Sequence, residues 1–362
     1  IRDSLLAICL SVLFTGCVKN GENKTENKKT EEKASTEETK TTGKIEDEPM
    51  YGKEILIGYN GGLCTGTPGI AAVNKEFEKE GLKVKVINVQ SGLDAVGTNK
   101  VQVFSDHLAT VLVPSINGIN VQLVAGAQTG CKSLYVLNDD KINKTSDLLG
   151  KTIAVPDGIG NSDHNIALRF LEHDKVDAKQ IKFKPVETSA VIQALEKGEI
   201  QATLLSDQFA EKFVNEGKIK SIRSLTTDPD FQKEPCCVHV LNADFIRDNP
   251  QTAKKVVTVI MRTKHWVEDN KEEATKILFD NHWASGDFDQ ALRMMKTYDF
   301  KISQKDTETA IRSTIDDYKK FGLISNDKST DDLMKKFWNP MDVDESVVKL
   351  SLIHISEPTR PR

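Results

Sequence analysis

Apolar and polar positions change period in a regular way along this chain, and the clearest instance is residues 151–171 (KTIAVPDGIGNSDHNIALRFL). Residues 152–155 read as a short buried strand, while Ile166, Ala167, Phe170 and Leu171 recur at helical spacing. The glycine-bearing loop between them offers Asn161, Ser162 and Asp163 as helix caps. A strand turning tightly into a helix presents free backbone N–H groups and a positive dipole end, a site for a small polar or anionic ligand. Residues 54–59 (EILIGY) run into 60–68 (NGGLCTGTP) in the same way, with Thr67 expected as N-cap and Pro68 as the first helical residue. Two such loops predict one ligand held between two half-domains.

The pattern elsewhere repeats this order. Residues 82–89 (LKVKVINV) alternate like a half-buried strand, 100–104 (KVQVF) predict another, and a helix at 108–116 leads to a strand at 121–125. Strands alternating with helices indicate parallel βαβ units. In a second series, 152–155 corresponds to 54–59, 181–186 to 82–89, and 199–205, ending at Ser206-Asp207, to 101–104, ending at Ser105-Asp106. Two similar α/β lobes are expected, joined through 131–138 (CKSLYVLN) and 234–242 (EPCCVHVLN). The remainder is helical: Asn249-Pro250 opens a helix with Ala253, Val256, Val257, Ile260 and Val267 on one face. Amphipathic segments follow at 272–279, 287–298, 306–321 and 330–338, expected to pack around the first lobe and the hinge.

The two ends break the pattern. Residues 5–14 (LLAICLSVLF) form an apolar run too short for a membrane span and read as the core of an export signal. The chain begins without Met, so residues 1–17 are read as an N-terminally truncated signal peptide. Its Thr-Gly-Cys ending resembles a bacterial lipobox, which implies lipidation at Cys17, although Phe14 stands where Leu is usual. Residues 18–50, nearly all Lys, Glu, Thr, Asn and Ser up to residue 48, are expected to be a disordered tether. Residues 350–362 (LSLIHISEPTRPR) are read as a non-native tail and set aside. A length of 362 residues suffices for two lobes with real cores, and a net charge of −5 without a basic stripe argues against nucleic acid as a partner.

The chain resembles the extracytoplasmic substrate-binding proteins of ABC importers, in particular the nitrate/sulfonate/taurine type, which shares a superfamily with thiamine-pyrimidine synthases. The match is carried by the lipobox at Cys17, the loop 60–68, the segment 147–164 (DLLGKTIAVPDGIGNSDH) and the run 189–202 (SAVIQALEKGEIQA). It covers roughly residues 53 to 340. The resemblance implies a type II periplasmic-binding-protein fold: two doubly wound lobes, a two-segment hinge and a ligand cleft between the lobes. It divides the chain into lobe one with the C-terminal helices (51–133 with 238–340) and lobe two (134–237). Function by hinge closure over a small polar or anionic solute is implied, nitrate/sulfonate/taurine or pyrimidine-like, with delivery to permease and ATPase subunits. The protein is then a monomer and not an enzyme, lipid-anchored outside the cell membrane, with neither cofactor nor metal expected.

Loops at the carboxyl ends of the strands supply the candidate ligand contacts. From lobe one these are Cys64, Thr65, Ser91, Asp106, His107 and Cys131, and from lobe two Asn161, Ser162, Asp163, His164, Glu187, Thr188, Asp207 and Gln208. Lys132 is the nearest cation. Capping alone accounts equally for Thr65, Asn161 and Ser162. Cys64, Cys131, Cys236 and Cys237 fit no zinc spacing, so disulfides or inert buried thiols are preferred, with metal binding by the thiols and His107 or His164 second. The adjacent Cys236 and Cys237 are expected to have separate roles. An iron-using enzyme of the thiamine-pyrimidine synthase type is the competing reading, and an export signal counts against it.

Overall fold

A computed structural model describes residues 43–343 and Val348. Cys17 and the tail 350–362 therefore lie outside the described residues. Among the described residues ten strands are assigned: β1 (Glu54–Gly58), β2 (Lys83–Ile87), β3 (Val103–His107), β4 (Val121–Thr129), β5 (Lys132–Leu137), β6 (Thr152–Ala154), β7 (Lys182–Lys184), β8 (Ala202–Ser206), β9 (Ile219–Ser224) and β10 (Pro235–Asn242). The α-helices are α1 (Thr67–Val73), α2 (Glu76–Lys79), α3 (Gly92–Gly97), α4 (Leu108–Ile116), α5 (Ser162–His173), α6 (Val191–Glu196) and α7 (Asp207–Asn215). They continue with α8 (Ala243–Asp248), α9 (Pro250–Asp269), α10 (Lys271–Asp280), α11 (Phe288–Thr297), α12 (Gln304–Lys320) and α13 (Thr330–Phe337).

The strands form two five-stranded sheets, ordered β2-β1-β3-β10-β4 and β7-β6-β8-β5-β9. In each, the first three strands run parallel and the fourth is antiparallel to both neighbours. The orders superimpose when β6, β7, β8 and β9 stand for β1, β2, β3 and β4, so the repeat read along the chain is a repeat of topology. The chain leaves the first sheet between β4 and β5 and returns between β9 and β10. All eight residues of β10 are buried, because helices cover both faces of a central strand.

Apolar side chains fill both sides of each sheet. Ile55, Ile57, Phe77, Val256, Val257 and Ile260 pack α1, α2 and α9 on one face of the first sheet. Val101, Leu112, Val238, Ile311 and Tyr318 pack α4 and α12 on the other. In lobe two, Ile153, Phe170 and Leu204 lie on the α5 side and Val191, Leu195 and Ala210 on the α6/α7 side. Each such side chain contributes about 1.5–3 kcal/mol by burial.

Several local expectations shift. The third strand extends past Phe104 to His107, because β10 continues to pair with it at Val238–Asp106 and Cys237–His107. Gly66 occupies the cap of α1 and Thr67 its first turn. The edge strand β9, IKSIRS, carries too little alternation to stand out. His282 lies beyond α10 with φ of 58°. The expected tether also stops short of residue 50. The Glu48 carboxylate accepts from the N–H groups of Gln251 and Thr252 at 2.7 and 2.9 Å, so a polar residue caps α9 from a distance.

A buried ion cluster joins lobe two to α12. Arg169 on α5 meets Glu234 at 2.5 Å and Asp317 at 2.9 Å, and His173 lies 3.0 Å from Asp317 and from Asp230. Burial alone would raise the Asp317 carboxyl, but the His173 hydrogen bond and the Arg169 charge outweigh it and hold it at about 2. The Asp317 hydrogen bond raises the His173 imidazole above its usual value, against burial. A raised folded-state pKa gives stability that is fully present below the unfolded value of about 6.5 and is lost as pH rises through the folded value. His173→Gln is therefore expected to destabilise most below about pH 6.5, the gap from the parent closing as pH rises. Urea midpoints of both proteins from pH 5 to 9 check this, and a gap independent of pH would contradict it.

Candidate functional site

The strand ends of the two sheets converge where the chain crosses between them. Gly130 and Cys131 sit at the first crossing with φ of 88° and 92°. Cys131 is bonded to Cys236 at the second crossing by a disulfide, leaving Cys64 half-buried and Cys237 buried as free thiols. Of the adjacent pair, Cys236 is thus bridged and Cys237 is not. The Cys64 loop is pinned by the Gly62 N–H, which donates to the Trp283 carbonyl at 2.8 Å. Gly61, at φ 98°, passes so close that a Cβ would stand 2.7 Å from that carbonyl, so only glycine fits. Tyr59 packs edge-on against Trp283 with ring centroids 5.1 Å apart.

Lys132 follows the crossing and is largely buried among carboxylates. Its ammonium is 2.5 Å from Asp163, 3.0 Å from Ser162 Oγ and 3.7 Å from Asp157. Burial would lower its pKa, but Asp163 and Asp157 outweigh that and raise it, so Lys132 stays charged. Asp157 accepts from the Asp163 N–H and the Ser162 hydroxyl, organising the first turn of α5. Asp106 accepts from the His107 N–H at 2.7 Å. Burial lifts its carboxyl above the usual range despite Lys132. Burial and the Lys132 charge push His107 down to about 3, leaving it neutral. Asp207 accepts from Tyr135 Oη at 2.7 Å and Thr226 Oγ1 at 2.5 Å, and its N–H donates to the Cys131 carbonyl.

Of the residues expected at the cleft, Cys64, Asp106, His107, Cys131, Ser162, Asp163 and Asp207 gather around these crossings, and Thr65 adjoins Cys64 in the same loop. The others turn elsewhere. Ser91 is exposed and donates to Asp94 within its own helix at 2.5 Å. Asn161 is exposed and caps through its backbone, its amide donating to the Asp157 carbonyl. His164 accepts from the Gly160 N–H and packs on Phe183. Glu187 and Thr188 are exposed, and the Gln208 carbonyl accepts from Gln290 of α11 at 2.8 Å. Asp157, Tyr135, Thr226, Cys236 and Cys237 were not among the expected contacts. Asp157 was within reach, since it shares the loop that carries Ser162 and Asp163.

Ser105 Oγ and His239 Nδ1 lie 2.7 Å apart, a pairing that elsewhere serves nucleophilic chemistry. His239 is fully buried inside the sheet and held neutral, with its pKa near about 3, by burial and the Lys264 charge. No substrate reaches it there, so the pair is a core hydrogen bond.

The profile of the family described as NMT1/THI5 like matches residues 66–274, more than half of the chain. The chain belongs to the NMT1/THI5 like family. No curated protein matches it. Among solved structures, it is similar to the alkanesulfonate-binding protein SsuA of Xanthomonas axonopodis pv. citri bound to MOPS, at 14% identity and TM-score 0.60, over 79% of this chain and 98% of that one. The periplasmic nitrate-binding protein NrtA of Synechocystis PCC 6803 gives 14% identity and TM-score 0.64, over 84% and 89%. A putative periplasmic sulfonate-binding protein of Methylobacillus flagellatus KT gives 18% and 0.64, over 84% and 96%. For this NMT1/THI5 like chain, those likenesses establish the two-lobe type II periplasmic-binding-protein fold.

Lys132→Met leaves Asp157 and Asp163 without their cation and is expected to cost about 3–5 kcal/mol, the usual loss when one partner of a buried ion pair is removed. Urea denaturation measures it, and a loss below about 1 kcal/mol, typical of an exposed pair, would contradict the burial argument.

Proposed function

We propose that this protein is the solute-binding component of an ABC importer. It captures a small polar solute between its lobes by hinge closure and presents the closed form to a membrane permease and its ATPase. The observation that carries the reading is the placement of Asp106, Asp163 and Asp207 at or beyond the carboxyl ends of β3, β6 and β8, with Lys132 opening the antiparallel β5 beside Asp163, where open α/β folds bind ligands. The family and the fold support it, since the similar solved structures are named as binding proteins. Lipidation at Cys17, residence at the outer face of the cell membrane, a monomeric state, and lobes at 51–133 with 238–340 and 134–237 belong to the same proposal.

The charges favour a polar solute over a purely anionic one. Lys132 is already engaged by Asp163 and Asp157, while among the described residues Asp106 accepts a hydrogen bond only from its neighbour's backbone. A solute bearing hydrogen-bond donors, such as a taurine-like zwitterion or an aminopyrimidine, answers Asp106. Nitrate and a simple alkanesulfonate lack the donor.

Titration calorimetry against nitrate, ethanesulfonate, taurine and an aminopyrimidine tests this. Binding of a donor-bearing solute is expected, weakened at least tenfold by Asp106→Ala with the urea midpoint nearly unchanged. Asp163→Ala weakens binding as well, but at a cost in stability through Lys132. Tight binding of nitrate or ethanesulfonate alone, insensitive to Asp106→Ala, would overturn the choice of solute.

A further inference from the structure

The hinge also carries a donor set outside the polar cluster on which the solute-binding reading rests. His107, Cys131, Cys236 and Cys237 each offer one ligand atom, and the four atoms lie within 4.8 Å of one another. His107 Nδ1 is 3.4 Å from both Cys236 Sγ and Cys237 Sγ. Neighbouring residues of a regular strand point to opposite faces, so two adjacent cysteines should not reach one imidazole. The register of β10 against β4 is irregular between Pro235 and Cys237 and again between Cys237 and Val238. This bulge brings both thiols to His107. Cys131 arrives from the other crossing in a left-handed conformation that a non-glycine residue rarely adopts.

We propose that reduction of the Cys131–Cys236 disulfide converts this cluster into a tetrahedral zinc(II) site with one histidine and three cysteine ligands. Three thiolates and one imidazole are a standard zinc donor set. Tetrahedral Zn–S bonds of about 2.3 Å place ligand sulfurs roughly 3.8 Å apart, within the span found here. The Gln128 side chain is fully buried opposite Cys237 in the β4–β10 register, and neither its amide nitrogen nor its oxygen has a hydrogen-bond partner among the described residues. It stands where an outer group would orient a thiolate ligand. Cys64 packs against the apolar cluster that holds Cys237 but lies outside the set of four.

The step balances with a dithiol as reductant. The S–S bond of Cys131–Cys236 breaks and takes up two electrons and two protons, and the dithiol closes to a disulfide. Zinc then displaces one proton from each of three thiols. The oxidised pair withholds two of the four donors, so the metal site exists only in the reduced protein. It joins both crossings through one ion where the disulfide joined them through one bond.

The test uses the full chain, kept without oxygen, either oxidised or reduced by a dithiol that is then removed. Zinc(II) is titrated against a colorimetric chelator, and cobalt(II) is substituted for its ligand-field spectrum. The reduced protein is expected to hold one zinc per chain and give the intense visible bands of tetrahedral cobalt with thiolate ligands. The oxidised protein should hold none. His107→Ala and Cys237→Ser should each abolish tight binding, Gln128→Ala should weaken it about 10–100-fold, and Cys64→Ser should retain it. Equal zinc uptake by oxidised and reduced protein, no uptake by either, or retention in Cys237→Ser would each overturn the proposal. If Cys237→Ser fails to fold, the parent's cobalt spectrum decides: octahedral bands without sulfur charge transfer refute the site. Solute affinity is measured separately on the oxidised protein, so failure here leaves the transport reading standing.

Discussion

Everything in this structure depends on the exchange of one antiparallel strand between two otherwise parallel sheets. Neither β5 nor β10 can be removed from its position without exposing a row of backbone donors and acceptors on both neighbours. Each lobe therefore needs a strand reached only by crossing the gap. The crossings are held at fixed separation by the sheets themselves, and the Cys131–Cys236 bond ties them once more. The first residues of β5 and of β10 consequently face the space between the lobes. That is why Lys132, and Cys236 with its neighbour, sit at the centre of the molecule though they are far apart in sequence.

The same exchange explains how an acidic cluster persists in a confined place. Lys132 lies in a ring of carboxylates contributed by the α5 loop, and its charge offsets what burial would otherwise make intolerable. The ring belongs to lobe two and Asp106 to lobe one, so any motion of the lobes changes the field at Asp106 directly. Under the proposed solute-binding reading, that field would couple ligand affinity to lobe position without any relay of side chains.

Much of the architecture was legible because it rests on local chemistry. The helix at 108–116 was placed to the residue, and the correspondence of the three parallel strands in each lobe was readable from repeated strand–turn–helix signals. What was hidden depended on distant partners. The extension of β3 to His107 exists because β10 pairs with it, and β9 is an edge strand whose sequence alternates weakly. At the candidate site, strand ends pointed to Asp106, His107, Asp163 and Asp207, since side chains there follow from topology. Cys236 and Cys237 were assigned to the hinge and not to the site because a bulge, which no local pattern announces, turns both toward one histidine. Ser91, Asn161 and His164 instead make local hydrogen bonds, since polar residues at helix starts satisfy their own turns first.

The docking of Glu48 on the start of α9 carries a mechanical implication. Among the described residues the chain enters through that contact, where the Gly43 carbonyl also meets Gln251, and its last helix, α13, packs on lobe one. Lobe two holds neither end of the described chain. A pull applied from upstream of residue 43 would be borne by helix-end hydrogen bonds on lobe one and would not reach the crossings. The load would pass into lobe one alone, as a pull on a door's frame bypasses the door.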